Sequence, residues 1–274
     1  MVFVYKYWEQ FCRALREKEI TSIPACEVGD TMPFFLVLKH DIENNVSKAY
    51  KLAEIEHKYG HCGSYYAHAC LLEDTKNVEL LLKMQALGHE ISYHHDVMDS
   101  NHGNIDEAME EFEKNRQRFE ALGFHLKTVC QHGNPIVERV GYTSNRDFFR
   151  NSRVQAVYPN IADIMVDYKE KFHTDYTYYS DAGRKFNLIF DPINNDIVKS
   201  DDKNTSYEDL NALLIALADK AIISTHPHRW TASEFSYIVS QKAFEITKVT
   251  AKQMMKVPVF KKIMSRYYYL AKRI

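Results

Sequence analysis

The chain has 274 residues and carries 35 lysine and arginine side chains against 37 aspartate and glutamate side chains. This near-neutral balance gives no electrostatic reason to expect nucleic acid as a partner. The five cysteines are an odd number without C-x-x-C spacing, which argues against a disulfide framework and against a structural zinc site. The N-terminus shows no signal-peptide pattern and no apolar run is long enough to span a membrane, so we expect a cytoplasmic protein with one α/β domain.

Helical and strand patterns alternate along the chain. An amphipathic helix comes first, and an apolar run then indicates a strand buried on both faces. Gly60 and Gly88 stand in the C-terminal capping positions of two later helices. Units of this length are typical of a parallel sheet or barrel. In chain order we predict a helix over 5–18, a strand over 34–43, a helix over 46–59, a strand over 64–71, a helix over 77–87, a strand over 88–96, a helix over 105–122 and strands over 127–130 and 221–224.

Four of these strands end in acid or histidine. Asp41 and Glu43 close the first apolar run, and alternation along a strand places both carboxylates on one face. His94, His132 and His226 lie at or just after later strands. Because the carboxyl ends of parallel strands meet at one edge, this recurrence predicts a metal or acid/base site there. The remaining histidines outside this pattern are interpreted as structural or exposed: His57, His61, His68, His102, His125 and His173.

Three motifs carry a resemblance to a known family. They are Asp41-Ile42-Glu43 after a strand, Gly88-His89-Glu90-Ile91 leading into His94, and His226-Pro227 late in the chain. Their order and spacing over residues 34–230 resemble the polysaccharide deacetylase family, which includes chitin and peptidoglycan deacetylases. The segments 53–60, 132–135, 143–148 and 179–184 also resemble the branch found with genes for surface-polysaccharide assembly, such as O-antigen clusters.

The resemblance implies a fold, an activity and a cofactor. The fold is a distorted (β/α) barrel of about seven or eight strands over residues 31–232, with an N-terminal helix and loop at 1–30 and a basic amphipathic helical tail at 233–274. The activity is hydrolysis of an N-acetyl or O-acetyl group on a sugar, a nucleotide sugar or a glycan, with a divalent metal such as zinc. Two alternatives stay open: a catalytically inactive sugar-binding or scaffold barrel, and a metal hydrolase acting on another C–N bond.

The resemblance also assigns roles by position. Asp41 resembles the catalytic base and His226 the general acid, while Glu43 and His94 resemble metal ligands. Where the family has its second metal-binding histidine, this chain has a methionine, whose thioether does not suit zinc in an oxygen and nitrogen site. We predict that His132 supplies the missing ligand, because it ends a neighbouring strand. The methionine at the position of the family's second metal-binding histidine is Met98. Other candidates for the third ligand are His95, Asp99 and His40. A further hypothesis is that the chain has lost metal binding.

Five residues near the strand ends are expected to contact the substrate. Asp181 and Arg184 either pair with each other or line a sugar-binding cleft. The indole ring of Trp230 either stacks against a sugar ring or belongs to the core. The full set is Asn134, Asp181, Arg184, His228 and Trp230.

The C-terminal residues 251–274 differ in composition from the rest of the chain. They contain seven basic side chains and no acid, interleaved with methionine, phenylalanine and tyrosine. One interpretation is a peripheral contact with an anionic membrane surface, at the inner face where lipid-linked glycans are assembled. The other is a terminal helix packed on the barrel with its lysines in water. The oligomeric state stays open.

Overall fold

A computed structural model of the chain describes residues 2–29, 31–134, 137–189, 191–192 and 205–254. The predicted basic tail beyond residue 254 lies outside the described residues, as does Pro135 of the segment 132–135. Of the helices in the described ranges, none combines the length and the apolar content that a membrane crossing needs.

The described residues form a nine-stranded sheet with β1 near its centre. The strands run in the order β5-β4-β3-β2-β1-β9-β6-β7-β8, and the pairings are parallel except those of β7 with β6 and β8. The predicted α/β class with a mainly parallel sheet is therefore confirmed. Within the described ranges no pairing joins the edge strands β5 and β8, so barrel closure stays a prediction. The strands are β1 (Phe35–Ile42), β2 (Gly63–Ala67), β3 (Glu90–His95), β4 (Thr128–Gln131), β5 (Ala162–Asp163), β6 (Thr177–Ser180), β7 (Phe186–Ile189), β8 (Thr205–Tyr207) and β9 (Lys220–Thr225).

Helices connect and cover these strands. The long helices coincide with the amphipathic patterns of the sequence. Asn104 caps α5, and its side chain accepts hydrogen bonds from two amides of the first turn. The helices are α1 (Tyr5–Glu17), α2 (Val46–Lys58), α3 (Thr75–Ala86), α4 (Val97–Ser100), α5 (Ile105–Ala121), α6 (Asp147–Arg150), α7 (Ser152–Val157), α8 (Asp167–Glu170), α9 (Leu210–Ile215) and α10 (Glu234–Met254).

Strand β1 is buried along its whole length, as its apolar run predicts. Leu38 packs in the hydrophobic cluster that contains the buried face of α1, whereas Val37 packs in the cluster on the opposite side of the sheet. Because side chains alternate along a strand, Lys39 and Asp41 continue the face of Val37. The interior face of the sheet thus changes from apolar to charged at the carboxyl end of β1.

Strand β2 is shorter than predicted. It ends at Ala67, and Ala69–Glu73 forms a 3₁₀ turn, so the predicted strand over 64–71 is wrong at its C-terminal end. The reason lies in pairing, because the register with β1 ends where Ile42 faces Ala67. His68 is consequently the first residue after a strand and not a residue within one.

Candidate active site

A small cavity of about 140 Å³ lies at the carboxyl ends of the central strands. Asp41 lies in β1 and His94 in β3, while Glu43, His132 and His226 directly follow β1, β4 and β9; all five line the cavity. The structure therefore brings together the catalytic and metal-ligand residues predicted from the sequence. Four strand ends supply these five residues, which is how parallel α/β folds assemble sites.

A buried ion pair fixes the side chain of Asp41. Lys39 Nζ lies 2.6 Å from one Asp41 carboxylate oxygen and 2.5 Å from the other, and it also donates to Ser224 Oγ at 3.3 Å. Burial would lower the pKa of Lys39, but the charge of Asp41 outweighs it and raises that pKa well above its ordinary value. Lys39 was not among the predicted site residues, although its i, i+2 spacing from Asp41 places both side chains on one face.

Glu43 stands among three histidines. Its carboxylate oxygens lie 3.5 Å from His132 Nε2, 3.7 Å from His226 Nε2 and 3.8 Å from His228 Nδ1. Burial favours the protonated acid, but the hydrogen bond from His132 and the charge of His226 hold the pKa of Glu43 well below its usual range. Burial lowers the pKa of His228 to about 4 against the opposing charge of Glu43. Glu43 is thus an ionised carboxylate at the mouth of the cavity.

His226 is oriented by a buried aspartate. Its Nδ1 lies 2.6 Å from Asp181 Oδ1, and its backbone amide donates to Asp181 Oδ2 at 2.9 Å. Arg229 Nη1 donates to Asp181 Oδ1 at 2.6 Å. Burial would raise the pKa of Asp181, but the charges of Arg229 and His226 hold it well below its ordinary value. Because the Asp181 carboxylate accepts a hydrogen bond from Nδ1, the hydrogen of the His226 ring lies on Nδ1. The other ring nitrogen, Nε2, faces the carboxylates of Asp41 at 3.9 Å and Glu43 at 3.7 Å.

Three buried histidines converge beside these carboxylates. One potential ligand nitrogen from each of His68, His94 and His132 lies within 4.8 Å of the others. His68 is buried and lies in this cluster, a position that the sequence pattern did not indicate because the predicted strand ran past its actual end at Ala67. Burial lowers the pKa of His94 well below its ordinary value, and the neighbouring histidines lower it further, so its ring is neutral at neutral pH.

The other candidate third ligands are engaged elsewhere. His40 Nε2 lies 2.8 Å from Glu56 on the helix-covered face of the sheet. The ring of His95 meets Asp163, with Nε2 3.0 Å from Oδ2, and Asp99 accepts two hydrogen bonds from an arginine. Met98 is buried in the hydrophobic core. None of these four side chains lines the cavity.

A second group of possible ligands shares His94. It consists of Asp41, His94 and Cys130, again with ligand atoms within 4.8 Å of one another. The Asp41 oxygens in this group already contact Lys39. Burial raises the pKa of the Cys130 thiol well above its ordinary value.

No protein-family model and no curated protein matches this chain. The chain is similar to a peptidoglycan deacetylase. The structure of PdaC from Bacillus subtilis has a TM-score of 0.41 and 13% sequence identity, over 84% of this chain and 98% of that chain. A mutant of PdaC has a TM-score of 0.37 and 10% identity, over 84% and 96%.

The expected substrate contacts have different surroundings. His228 lies beside Glu43, and Asn134 is buried two residues after His132. The Arg184 guanidinium stacks on Phe244 of α10, 4.4 Å from the ring centroid, and does not form an ion pair with Asp181. Trp230 is fully buried and donates through Nε1 to Thr225 Oγ1. Its ring belongs to the hydrophobic core, which is the second of the two roles predicted for it and leaves no face open to a sugar.

Proposed function

We propose that this protein is a metal-dependent hydrolase that removes an acetyl group from a sugar or glycan. The single observation that carries the proposal is the convergence on one cavity of three kinds of group. These are a carboxylate fixed by a buried lysine, a histidine oriented by a buried aspartate, and a cluster of buried histidines. Ester and amide hydrolysis uses a base, an acid and an electrophile in this combination.

The surroundings of Asp41 and His226 suit them to different roles in the reaction. Asp41 takes a proton from the attacking water, because its carboxylate is held rigidly and faces the cavity. His226 gives a proton from Nε2 to the leaving amine or alkoxide, since Asp181 holds the ring by Nδ1. The histidine nitrogens near this pair suit zinc. When bound, the metal supplies polarisation of the acyl carbonyl and a water of lowered pKa.

The size of the cavity suits a substrate with a short acyl group. A volume of about 140 Å³ accepts an acetyl group and leaves a sugar ring to bind outside, near His228. A long acyl chain has no space beside the buried histidines. We therefore expect acetyl to be preferred over butyryl on the same sugar.

The finer assignment rests on the sequence motifs. They support action on an acetylated sugar, nucleotide sugar or glycan in surface-polysaccharide assembly, in the cytoplasm. Helix α10 supports contact with an anionic membrane, since it carries exposed apolar side chains ahead of the basic residues 255–274. These side chains are Phe235, Ile238, Val239, Ile246 and Val249. We expect the protein to co-sediment with anionic vesicles at low salt and to be released by high salt, and we expect a chain ending near residue 250 not to bind. Equal binding to neutral vesicles contradicts the proposal.

Acetate release tests the activity. Protein purified without chelators is incubated with N-acetylated and O-acetylated sugars, nucleotide sugars and peptidoglycan fragments, and its metal content is measured in the same preparation. We expect about one divalent ion per chain, acetate from at least one substrate, and loss of release on chelation with recovery on adding zinc. Folded, metal-loaded protein that releases acetate from no substrate refutes the deacetylase. Folded protein that contains no metal favours the inactive barrel.

A further inference from the structure

We propose that the metal is held by three histidines, His68, His94 and His132, and that Glu43 orients His132 without binding the metal. The proposal rests on the proposed function for the presence of a metal. It differs from the ligand set expected from the sequence motifs, in which Glu43 binds the metal and His68 has no role.

The three histidines come from neighbouring strand ends. His68 follows β2, His94 belongs to β3 and His132 follows β4. Their ring centroids lie 4.9 to 5.1 Å apart, and each residue is at most 5% exposed. Zinc–nitrogen bonds of about 2.0–2.1 Å in a tetrahedral site place ligand nitrogens about 3.3 Å apart. Nitrogens already within 4.8 Å reach that geometry by small side-chain rotations.

The hydrogen bonds of two rings select the nitrogen that faces a metal. His94 Nδ1 lies 3.0 Å from the carbonyl oxygen of Cys130, which requires a hydrogen on Nδ1 and leaves Nε2 as a ligand. His132 Nε2 faces Glu43 Oε1 at 3.5 Å, while its Nδ1 is buried without a hydrogen-bond partner among the described residues. Metal-ligating histidines characteristically give their second ring N–H to a backbone carbonyl or a carboxylate. Both arrangements are present here.

The position of Glu43 suits an orienting group better than a ligand. Its side chain is 32% exposed, whereas the three histidines are buried. It is absent from the groups whose ligand atoms lie within 4.8 Å of one another in the described residues. Accepting the Nε2 hydrogen of His132 stabilises the tautomer that presents Nδ1. Three protein ligands then leave a fourth position for water, as a catalytic zinc requires.

Metal affinity and cobalt spectroscopy test this ligand set directly. Zinc affinity is measured by competition with a chromophoric chelator, and Co²⁺ binding by its visible spectrum. We expect His68→Ala to weaken zinc binding by at least about 100-fold, and Glu43→Gln to keep one metal per chain with about 10- to 100-fold lower affinity. Cys130→Ala and the exposed control His125→Ala should bind as the parent does. The Co²⁺ spectrum of the parent should lack a thiolate-to-metal charge-transfer band.

A second variant keeps the test decisive if His68→Ala does not fold. His68→Cys places a thiol at the same position, so the Co²⁺-loaded variant should gain the thiolate-to-metal band. A bound cobalt ion without that band, parental zinc affinity in His68→Ala, or complete loss of metal in Glu43→Gln each overturns the proposal. A parent protein that binds no zinc refutes the metal dependence of the proposed function. Metal bound by the three histidines without acetate release refutes the activity alone.

Discussion

Replacement of Lys39 by methionine tests the buried ion pair that holds the candidate base. Lys39 is 1% exposed, and its Nζ lies 2.6 and 2.5 Å from the two Asp41 carboxylate oxygens. Methionine keeps much of the side-chain volume but removes the charge, so a buried carboxylate is left without its cation. Removing one partner of a buried pair costs about 3–5 kcal/mol. We expect Lys39→Met to lower the free energy of unfolding by that amount.

The partner substitution and the double variant complete the cycle. Asp41→Asn should cost a similar amount, because it leaves a buried ammonium without its anion. The double variant removes both charges, and since neutral replacements of buried pairs are often well tolerated, it should lie within about 2 kcal/mol of the parent. Urea unfolding at pH 7, followed by circular dichroism, measures all four proteins. The coupling between the two sites should therefore amount to several kcal/mol.

An exposed ion pair of the same length provides the control. Lys58 Nζ lies 2.5 Å from Glu9 Oε1, but the two side chains are 61% and 38% exposed. Because solvent screens such a pair, Lys58→Met should leave the free energy of unfolding nearly unchanged. If the double variant at Lys39 and Asp41 instead loses the sum of the two single losses, the ion pair does not couple these residues and the reasoning fails.

Three further predictions concern other parts of the molecule. Burial raises the pKa of Asp167 from 3.8 to about 7. Between these values the native state holds a proton that the unfolded state lacks, so the free energy of unfolding falls as the pH rises through this window. Asp167→Asn should therefore be more stable than the parent at pH 8, by up to about 4 kcal/mol and with a higher unfolding temperature, and should not differ from it at pH 4. Asp181→Asn should lower kcat by about 10²-fold or more while metal content is unchanged, because His226 loses its orienting carboxylate; parental kcat contradicts this role. A Cβ at Gly63 would lie 2.7 Å from the backbone oxygen of Leu38, so Gly63→Ala should destabilise the protein by about 1–3 kcal/mol in urea unfolding, and parental stability would show that β1 and β2 separate easily.

Local pattern in the sequence predicted five of the nine described strands, β1, β2, β3, β4 and β9, and much of the site, but it did not predict β5, β6, β7 and β8. The continuous apolar run of β1 predicts burial on both faces, and its alternation places Asp41 and Glu43 on one face. His94, His132 and His226 were found because each lies at a strand end, where neighbouring strands converge. These inferences need only the period of a strand and the common direction of parallel strands, and both are properties of the chain itself.

Only the tertiary structure decided which side chains meet. His68 joined the site because β2 ends where its pairing with β1 ends, and a strand's length depends on its partner. Lys39 acquired its role from contact with Asp41 in a buried interior, and Trp230 was placed in the core by packing against Phe3 and Trp8. Such contacts join residues far apart in the chain, and their energies depend on burial that no local pattern contains.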